Sequence, residues 1–119
     1  KAIKRGVHIR LIFEFKQSSE GQLSYDAIKA FPPDLTAAAA IYYWPVEKRE
    51  RNNAGYPGKL HSKLAIVDDT TLVSSANLTD DAFNRNLELG VLIKNHRFLR
   101  TTKEHIQGLI ADETFRLVK

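Results

Sequence analysis

The sequence predicts an α/β fold, in which a mixed β-sheet carries helices packed on its faces. Short runs of β-forming residues recur along the chain, and several of them alternate apolar and polar positions. Apolar residues at helical spacing lie between the first two runs and again after the last run. The length of 119 residues matches one domain, so we expect a single domain over residues 1–119.

The first third of the chain predicts a strand followed by a helix. Residues 1–6 resemble the last turn of a helix, with basic side chains before Gly6 as the left-handed cap. Residues 7–15 alternate apolar and polar side chains and predict a strand. Residues 23–31 predict a helix that ends before the Pro32-Pro33 pair, because proline cannot continue a helix.

The remainder predicts four further strands and a C-terminal helix. We expect strands over residues 37–44, 59–67, 71–75 and 87–93, with a turn-rich charged loop over residues 45–58. Asp68 begins the turn between the second and third of these strands. The apolar residues from Phe98 to Ile110 recur at helical spacing and predict the last helix.

Composition excludes several classes of protein. The chain is 43% hydrophobic and 27% charged, which is ordinary for a globular domain and unlike a disordered chain. It has no cysteine, so disulfide scaffolds, thiolate nucleophiles and cysteine metal sites are excluded, and we expect a reducing, cytoplasmic location. No apolar run is long enough to predict a membrane span, and no signal peptide is evident.

Net charge favours an anionic partner. The formal net charge is +4, and the basic excess lies before His61, with ten basic and six acidic residues in positions 1–60. The segment that leads to His61 concentrates cations on a predicted loop. Singly, each cation is expected to be a solvated surface charge, and together they suggest a groove for a polyanion. These candidate substrate-binding residues are Lys48, Arg49, Arg51 and Lys59.

Polar side chains suited to phosphate chemistry follow one another along the predicted strands. On a strand, His61 and Lys63 point to the same face, where an imidazole and an ammonium could contact one tetrahedral anion. Glu88 is a candidate to accept the Nδ1–H of a histidine and leave its Nε2 free as a nucleophile. Ser75 and Asn77 offer neutral donors for phosphoryl oxygens.

The ordered set of these residues resembles the phospholipase D superfamily, also called the HKD proteins. His61-x-Lys63 is followed by Asp68, then by Ser75-x-Asn77, then by Asn86-x-Glu88-x-Gly90. The resemblance implies that His61 is the nucleophile or the acid of a covalent phosphohistidine mechanism. It also implies that Lys63 and Asn77 bind the phosphate beside Ser75, and that Glu88 orients His61. We expect a structural role for Asp68 at its turn.

The resemblance implies a reaction that uses two H-x-K motifs, whereas this chain has one. A second half then comes either from a homodimer, in which two copies of His61 face each other, or from another part of a longer protein. The absence of an initiating methionine and the opening helix end favour a C-terminal half of such a protein. We favour the homodimer by a small margin.

The resemblance leaves three functions open. The first is a metal-independent nuclease that hydrolyses DNA or RNA without a cofactor, because lysines and amides supply the charge that magnesium supplies elsewhere. The second is a phospholipase D or a phosphatidyltransferase similar to cardiolipin synthase. The third is a non-catalytic nucleic-acid-binding module of a larger protein.

Overall fold

The computed structural model describes residues 1–15, 27–77 and 84–118. The strands are β1 (Arg10–Phe13), β2 (Ala40–Tyr43), β3 (Leu64–Val67), β4 (Thr70–Ser74), β5 (Gly90–Ile93) and β6 (Arg116–Leu117). The helices are α1 (Pro33–Ala38) and α2 (His96–Ala111), and 3-10 turns lie at Ile3–Arg5, Ala27–Ala30 and Val46–Lys48. This composition confirms the predicted α/β class.

The described strands form two three-stranded sheets, where the sequence predicted one mixed sheet. The sheets belong to two compact units, Lys1–Leu60 with Asp112–Lys119, and His61–Ala111. The first sheet is mixed, because β2 pairs parallel with β1 and antiparallel with β6. The second sheet is antiparallel throughout, because β3, β4 and β5 follow one another and pair locally in the order β3-β4-β5.

The first unit corrects the start of one predicted strand. Residues 37–44 were expected to be one strand, but α1 occupies Pro33–Ala38 and the strand begins only at Ala40. Alanine is the strongest helix former, and Pro33 at the start of α1 suits a helix even though it ends a preceding one. The predicted helix over residues 23–31 lies largely outside the described residues. At its end, the chain forms the 3-10 turn at Ala27–Ala30.

Aromatic and aliphatic side chains make the core of the first unit. Ile41 on β2 and Phe115 beside β6 are buried. Phe13 on β1 lies 5.1 Å from Phe31 between ring centroids, and Phe15 meets the ring of Tyr43 edge to face at 6.0 Å. The predicted glycine cap is present, since Gly6 has a φ of 73° and its N–H donates to the carbonyl of Ile3.

The second unit is a three-stranded sheet followed by α2. Ile66, Thr71 and Ile93 face one another across the three strands, and Thr71 is fully buried. Helix α2 follows the predicted periodicity, with Leu99 buried and Ile106 half-buried on its apolar side. The β3–β4 turn places Asp68 at a φ of 52°, a left-handed conformation that aspartate adopts more readily than most residues.

Candidate active site

His61 and Lys63 lie immediately before β3, not within it. The sequence predicted a strand over residues 59–67, but β3 begins at Leu64. Its pairing extends one residue further, because the N–H of Ser74 donates to the carbonyl of Lys63 at 3.1 Å. Strand alternation therefore does not align His61 with Lys63, and their proximity has another cause.

The Lys63 side chain folds back onto His61. Its ammonium donates to the His61 carbonyl at 2.9 Å and lies 3.4 Å from Nδ1 of the imidazole. Because an ammonium can only donate, the Lys63 side chain faces Nδ1 as a donor. His61 is exposed and Lys63 is half-buried. The structure thus brings together the imidazole and the ammonium that sequence reasoning paired.

Glu88 and Ser75 form a second polar cluster. Ser75 directly follows β4, and Glu88 lies two residues before β5. The Ser75 hydroxyl donates to Oε2 of Glu88 and accepts from the N–H of Leu89 at 3.1 Å. The N–H of Ser75 donates to the Leu89 carbonyl at 2.9 Å. The Asn86 amide donates to Oε1 of Glu88 at 3.4 Å. Both carboxylate oxygens of Glu88 therefore have a partner within the second unit.

The two clusters are separate in the part of the chain that the structure describes. No hydrogen bond among those residues joins Glu88 to His61, so the orientation of His61 by Glu88 stays a prediction. Asn77 is exposed two residues beyond Ser75. The predicted strand over residues 87–93 begins only at Gly90, and Leu87 and Leu89 are exposed instead of forming an apolar face.

Asp68 lies at the other end of β3 from Lys63. Its backbone carbonyl accepts from the ammonium of Lys103 on α2 at 3.2 Å. This contact joins the β3–β4 turn to the helix. The contact uses the Asp68 backbone and not its carboxylate, so the structural role expected of the Asp68 side chain stays a prediction.

Arg49 does not take the exposed position expected of a phosphate contact. Its side chain is 1% exposed and pairs with Glu14, whose side chain is 11% exposed. The guanidinium also donates to the Trp44 carbonyl and to the Gly58 carbonyl at 3.1 Å, and it lies 5.1 Å from the Trp44 ring centre. Sequence reasoning missed this role because Glu14 lies 35 residues away along the chain. Arg49 holds the loop to Glu14, the residue that follows β1.

The other three candidate cations are exposed. The ammonium of Lys48 donates to the Asp112 carbonyl at 3.4 Å. Arg51 donates to the Gly55 carbonyl at 2.7 Å. Lys59 lies at the end of the loop, two residues before His61. These three side chains can approach an anion, whereas Arg49 cannot.

Across residues 1–15, 27–77 and 84–118, no three side chains of histidine, aspartate or glutamate are grouped as metal ligands would be. No helix in these ranges has the length and apolar character to cross a membrane.

Comparisons with known proteins give consistent matches. The family described as "Cardiolipin synthase, PLD-like domain" matches residues 1–110. Cardiolipin synthase B of Escherichia coli (strain K12) is 29% identical over 112 residues, which are 93% of this chain and 24% of that protein. Cardiolipin synthase B of Salmonella typhi is 27% identical over 114 residues, with 95% and 25% covered. The chain thus spans about a quarter of the length of these curated relatives.

A solved structure shares the fold. NucT from Helicobacter pylori superposes with a TM-score of 0.69 at 20% identity, and the match covers 92% of this chain and 66% of that one. At this identity the likeness concerns the fold alone.

Proposed function

This chain belongs to the PLD-like domain family of cardiolipin synthase, and we propose that it acts in phosphodiester cleavage with His61 as a reacting group. The observation that carries the proposal is the contact between His61 and Lys63, with Nζ 3.4 Å from Nδ1. An imidazole beside an ammonium supplies both a nucleophile and a cation for a phosphate.

The reaction we propose has two balanced steps. Nε2 of His61 attacks phosphorus, a P–N bond forms, and the P–O bond to the leaving group breaks. The leaving oxygen takes a proton from a second imidazole. Water then attacks phosphorus, gives its proton back to that imidazole, and breaks the P–N bond.

Nucleophilic attack by Nε2 requires that the proton of the neutral ring be on Nδ1. In the structure the Lys63 ammonium occupies the Nδ1 side of the ring. We propose that a bound phosphate draws Lys63 away from Nδ1 and that Asn77 contacts the same phosphate. The Nδ1–H then becomes available to a carboxylate, for which Glu88 is the candidate.

Nucleic acid is the substrate we propose. The net charge of +4 and the exposed cations Arg51 and Lys59, close before His61 in the sequence, support a polyanionic substrate. On this proposal the chain is a nuclease, and it needs no metal because side chains provide the positive charge.

Phosphatidyl transfer is the second candidate, because the curated relatives that match over 93% to 95% of this chain are named cardiolipin synthase B. An alcohol instead of water would then resolve the phosphohistidine. The chemistry at His61 is common to both candidates, so the substrate distinguishes them. A nucleic-acid-binding module without catalysis would bind oligonucleotides and leave both substrates intact.

The proposed reaction uses two imidazoles, whereas the chain has one H-x-K motif. We propose that a second copy supplies the other imidazole in a two-fold homodimer. Mixing experiments with His61→Ala protein test this pairing. Excess variant should reduce the activity of the wild type by forming mixed dimers, whereas activity in proportion to wild type alone would contradict the pairing.

The decisive experiment offers both substrates in EDTA. The full chain is incubated with an end-labelled oligonucleotide, or with vesicles containing phosphatidylglycerol, and quenched without acid to preserve a phosphohistidine. We expect oligonucleotide cleavage that His61→Ala abolishes, while the control His105→Ala, on the exposed side of α2, retains it. Reaction of the vesicles alone would favour phosphatidyl transfer, and strict dependence on magnesium would exclude the proposed mechanism.

A further inference from the structure

The loop between β2 and β3 contains a turn closed by its own hydrogen bonds. The side-chain oxygen of Asn52 accepts from the N–H groups of Ala54 and Tyr56, each at 3.0 Å. The N–H of Asn52 donates to the Tyr56 carbonyl at 3.0 Å. Gly55, at a φ of 84°, donates to the Asn52 carbonyl at 2.9 Å. Both backbone polar groups of Tyr56 are therefore bonded, which fixes the backbone from which its side chain extends.

The base of this turn is anchored as well. Arg51 pairs with Pro57 in an antiparallel bridge, and the N–H of Gly58 donates to the Glu50 carbonyl at 2.9 Å. The buried guanidinium of Arg49 donates to the Gly58 carbonyl at 3.1 Å. Because its base is tied to a buried ion pair, the turn has little conformational entropy left to lose when it binds a ligand.

This ordered turn carries an exposed aromatic ring. Tyr56 is 59% exposed, whereas Pro57 beside it is buried. The exposed residues nearest to Tyr56 in the turn are Asn53, Ala54 and Gly55, and Lys59 follows three residues later. A large ring held out to solvent on an ordered turn, with an exposed cation three residues later in the chain, is suited to an aromatic anion.

We propose that Tyr56 stacks against a nucleobase of a nucleic acid strand while Lys59 contacts the adjacent backbone phosphate. Base–aromatic stacking tolerates any base, because every base has a π-face. The inference rests on the proposed action on nucleic acid and names a residue for it, five positions before His61. Tyr56 binds the strand and takes no part in the transfer of phosphorus.

The surroundings of Tyr56 favour nucleic acid over a lipid surface. A segment that inserts at a membrane interface presents several apolar side chains together with its cations. The exposed part of this turn presents one ring among amides and glycine, and Ala54 is its sole aliphatic side chain. The turn has too little apolar surface to enter a bilayer, whereas stacking needs one ring.

The test measures binding in the His61→Ala background, so that cleavage does not remove the probe. A fluorescent single-stranded oligonucleotide is titrated with the full chain carrying Tyr56, Tyr56→Ala or Tyr56→Phe. We expect about tenfold weaker binding for Tyr56→Ala and near-normal binding for Tyr56→Phe, because a benzene ring preserves the stacking. With an abasic oligonucleotide of the same length, the three proteins should bind alike.

The salt dependence of oligonucleotide binding distinguishes the contribution of the Tyr56 ring from that of the Lys59 cation. Affinity decreases with salt, and the steepness of log affinity against log salt concentration should be smaller by about 0.7 for Lys59→Ala. It should stay unchanged for Tyr56→Ala, because only the lysine displaces a counterion. Asn52→Ala should weaken binding through loss of the turn's hydrogen bonds, although Tyr56 is retained. Far-ultraviolet circular dichroism of each variant checks that the chain remains folded.

The outcomes separate the inference from the proposed reaction. Equal oligonucleotide affinity for Tyr56→Ala and the parent overturns the inference, while cleavage by protein with His61 intact can still stand. Tyr56-dependent oligonucleotide binding without any cleavage supports the inference and rejects the nuclease. Tyr56-dependent binding to anionic vesicles, with no oligonucleotide bound, overturns the inference in favour of a membrane contact.

Discussion

The hydroxyl of Ser75 donates a hydrogen bond to the carboxylate of Glu88. Ser75 directly follows β4, and Glu88 lies two residues before β5. The same hydroxyl accepts from the N–H of Leu89, so it fixes the backbone next to Glu88 as well as the carboxylate. Ser75 is therefore placed to position Glu88, and Glu88 is the group proposed to hold the imidazole during the reaction.

Glu88→Gln should lower the turnover rate by about 10²-fold, because an imidazole without its orienting carboxylate is misplaced for attack. Ser75→Ala should cause a smaller loss, since Asn86 still donates to Glu88. Initial rates of oligonucleotide cleavage, measured with the melting temperature of each variant, test this order. Unchanged rates for Glu88→Gln would contradict the role proposed for Glu88.

Arg49→Ala should destabilise the chain by about 3–5 kcal/mol, because it leaves the Glu14 carboxylate without its cation in a nearly buried site. Urea unfolding followed by the fluorescence of Trp44, the single tryptophan, measures the loss. The matched control is Arg116→Ala, since Arg116 pairs with Glu47 at 2.7 Å with both side chains exposed. This control should cost less than about 1 kcal/mol. Equal losses in the two variants would contradict a stabilising role for the Arg49–Glu14 pair.

Thr71→Val should raise the free energy of unfolding by about 1 kcal/mol. Among the residues that the structure describes, the buried Thr71 hydroxyl has no hydrogen-bond partner, and valine keeps the branched shape while removing the unsatisfied group. Thr70→Val is the control, because the Thr70 hydroxyl donates to Asp69 at 3.0 Å and its loss should bring no gain. Thermal unfolding followed by circular dichroism compares them. A less stable Thr71→Val protein would indicate that the hydroxyl has a partner in solution.

Protonation of the Asp112 carboxylate should lower the stability of the chain in acid. The N–H of Thr114 donates to the Asp112 carboxylate at 2.9 Å, and this bond, a side-chain bond from Thr114 and the nearby charge of Lys48 lower the pKa of Asp112. A carboxyl whose pKa is lower in the folded state stabilises the fold above its unfolded pKa, and the gain is lost as the pH falls through the folded value.

The matching variant is Asp112→Asn. Its melting temperature should fall less than that of the wild type as the pH drops below the ordinary pKa of an aspartate, because only the wild type loses a carboxylate of lowered pKa there. Melting curves at several pH values test the difference. Parallel acid profiles for the two proteins would show that Asp112 contributes no acid-sensitive stability.

Elements with a strong local signal were predicted well. Helix α2 follows from apolar spacing that repeats over four turns, and the β3–β4 hairpin follows from two β-forming runs around Asp68-Asp69. The last two residues of α1, Ala37 and Ala38, were assigned to the following strand because they precede β-forming residues without a turn signal between them. Strand β6 contains two residues, Arg116 and Leu117, and its pairing with β2 has no local signature.

The sequence by itself determined the α/β class, the family and the set of residues suited to phosphate chemistry, because these depend on residue type, order and spacing. The tertiary structure alone decided that Arg49 is buried against Glu14, that Lys63 reaches His61 from outside the strand, and that Asn52 holds Tyr56 outward. Such contacts depend on which backbone and side-chain groups meet in three dimensions. A charge or an aromatic ring has the same identity in the sequence whether it supports the fold or faces a ligand.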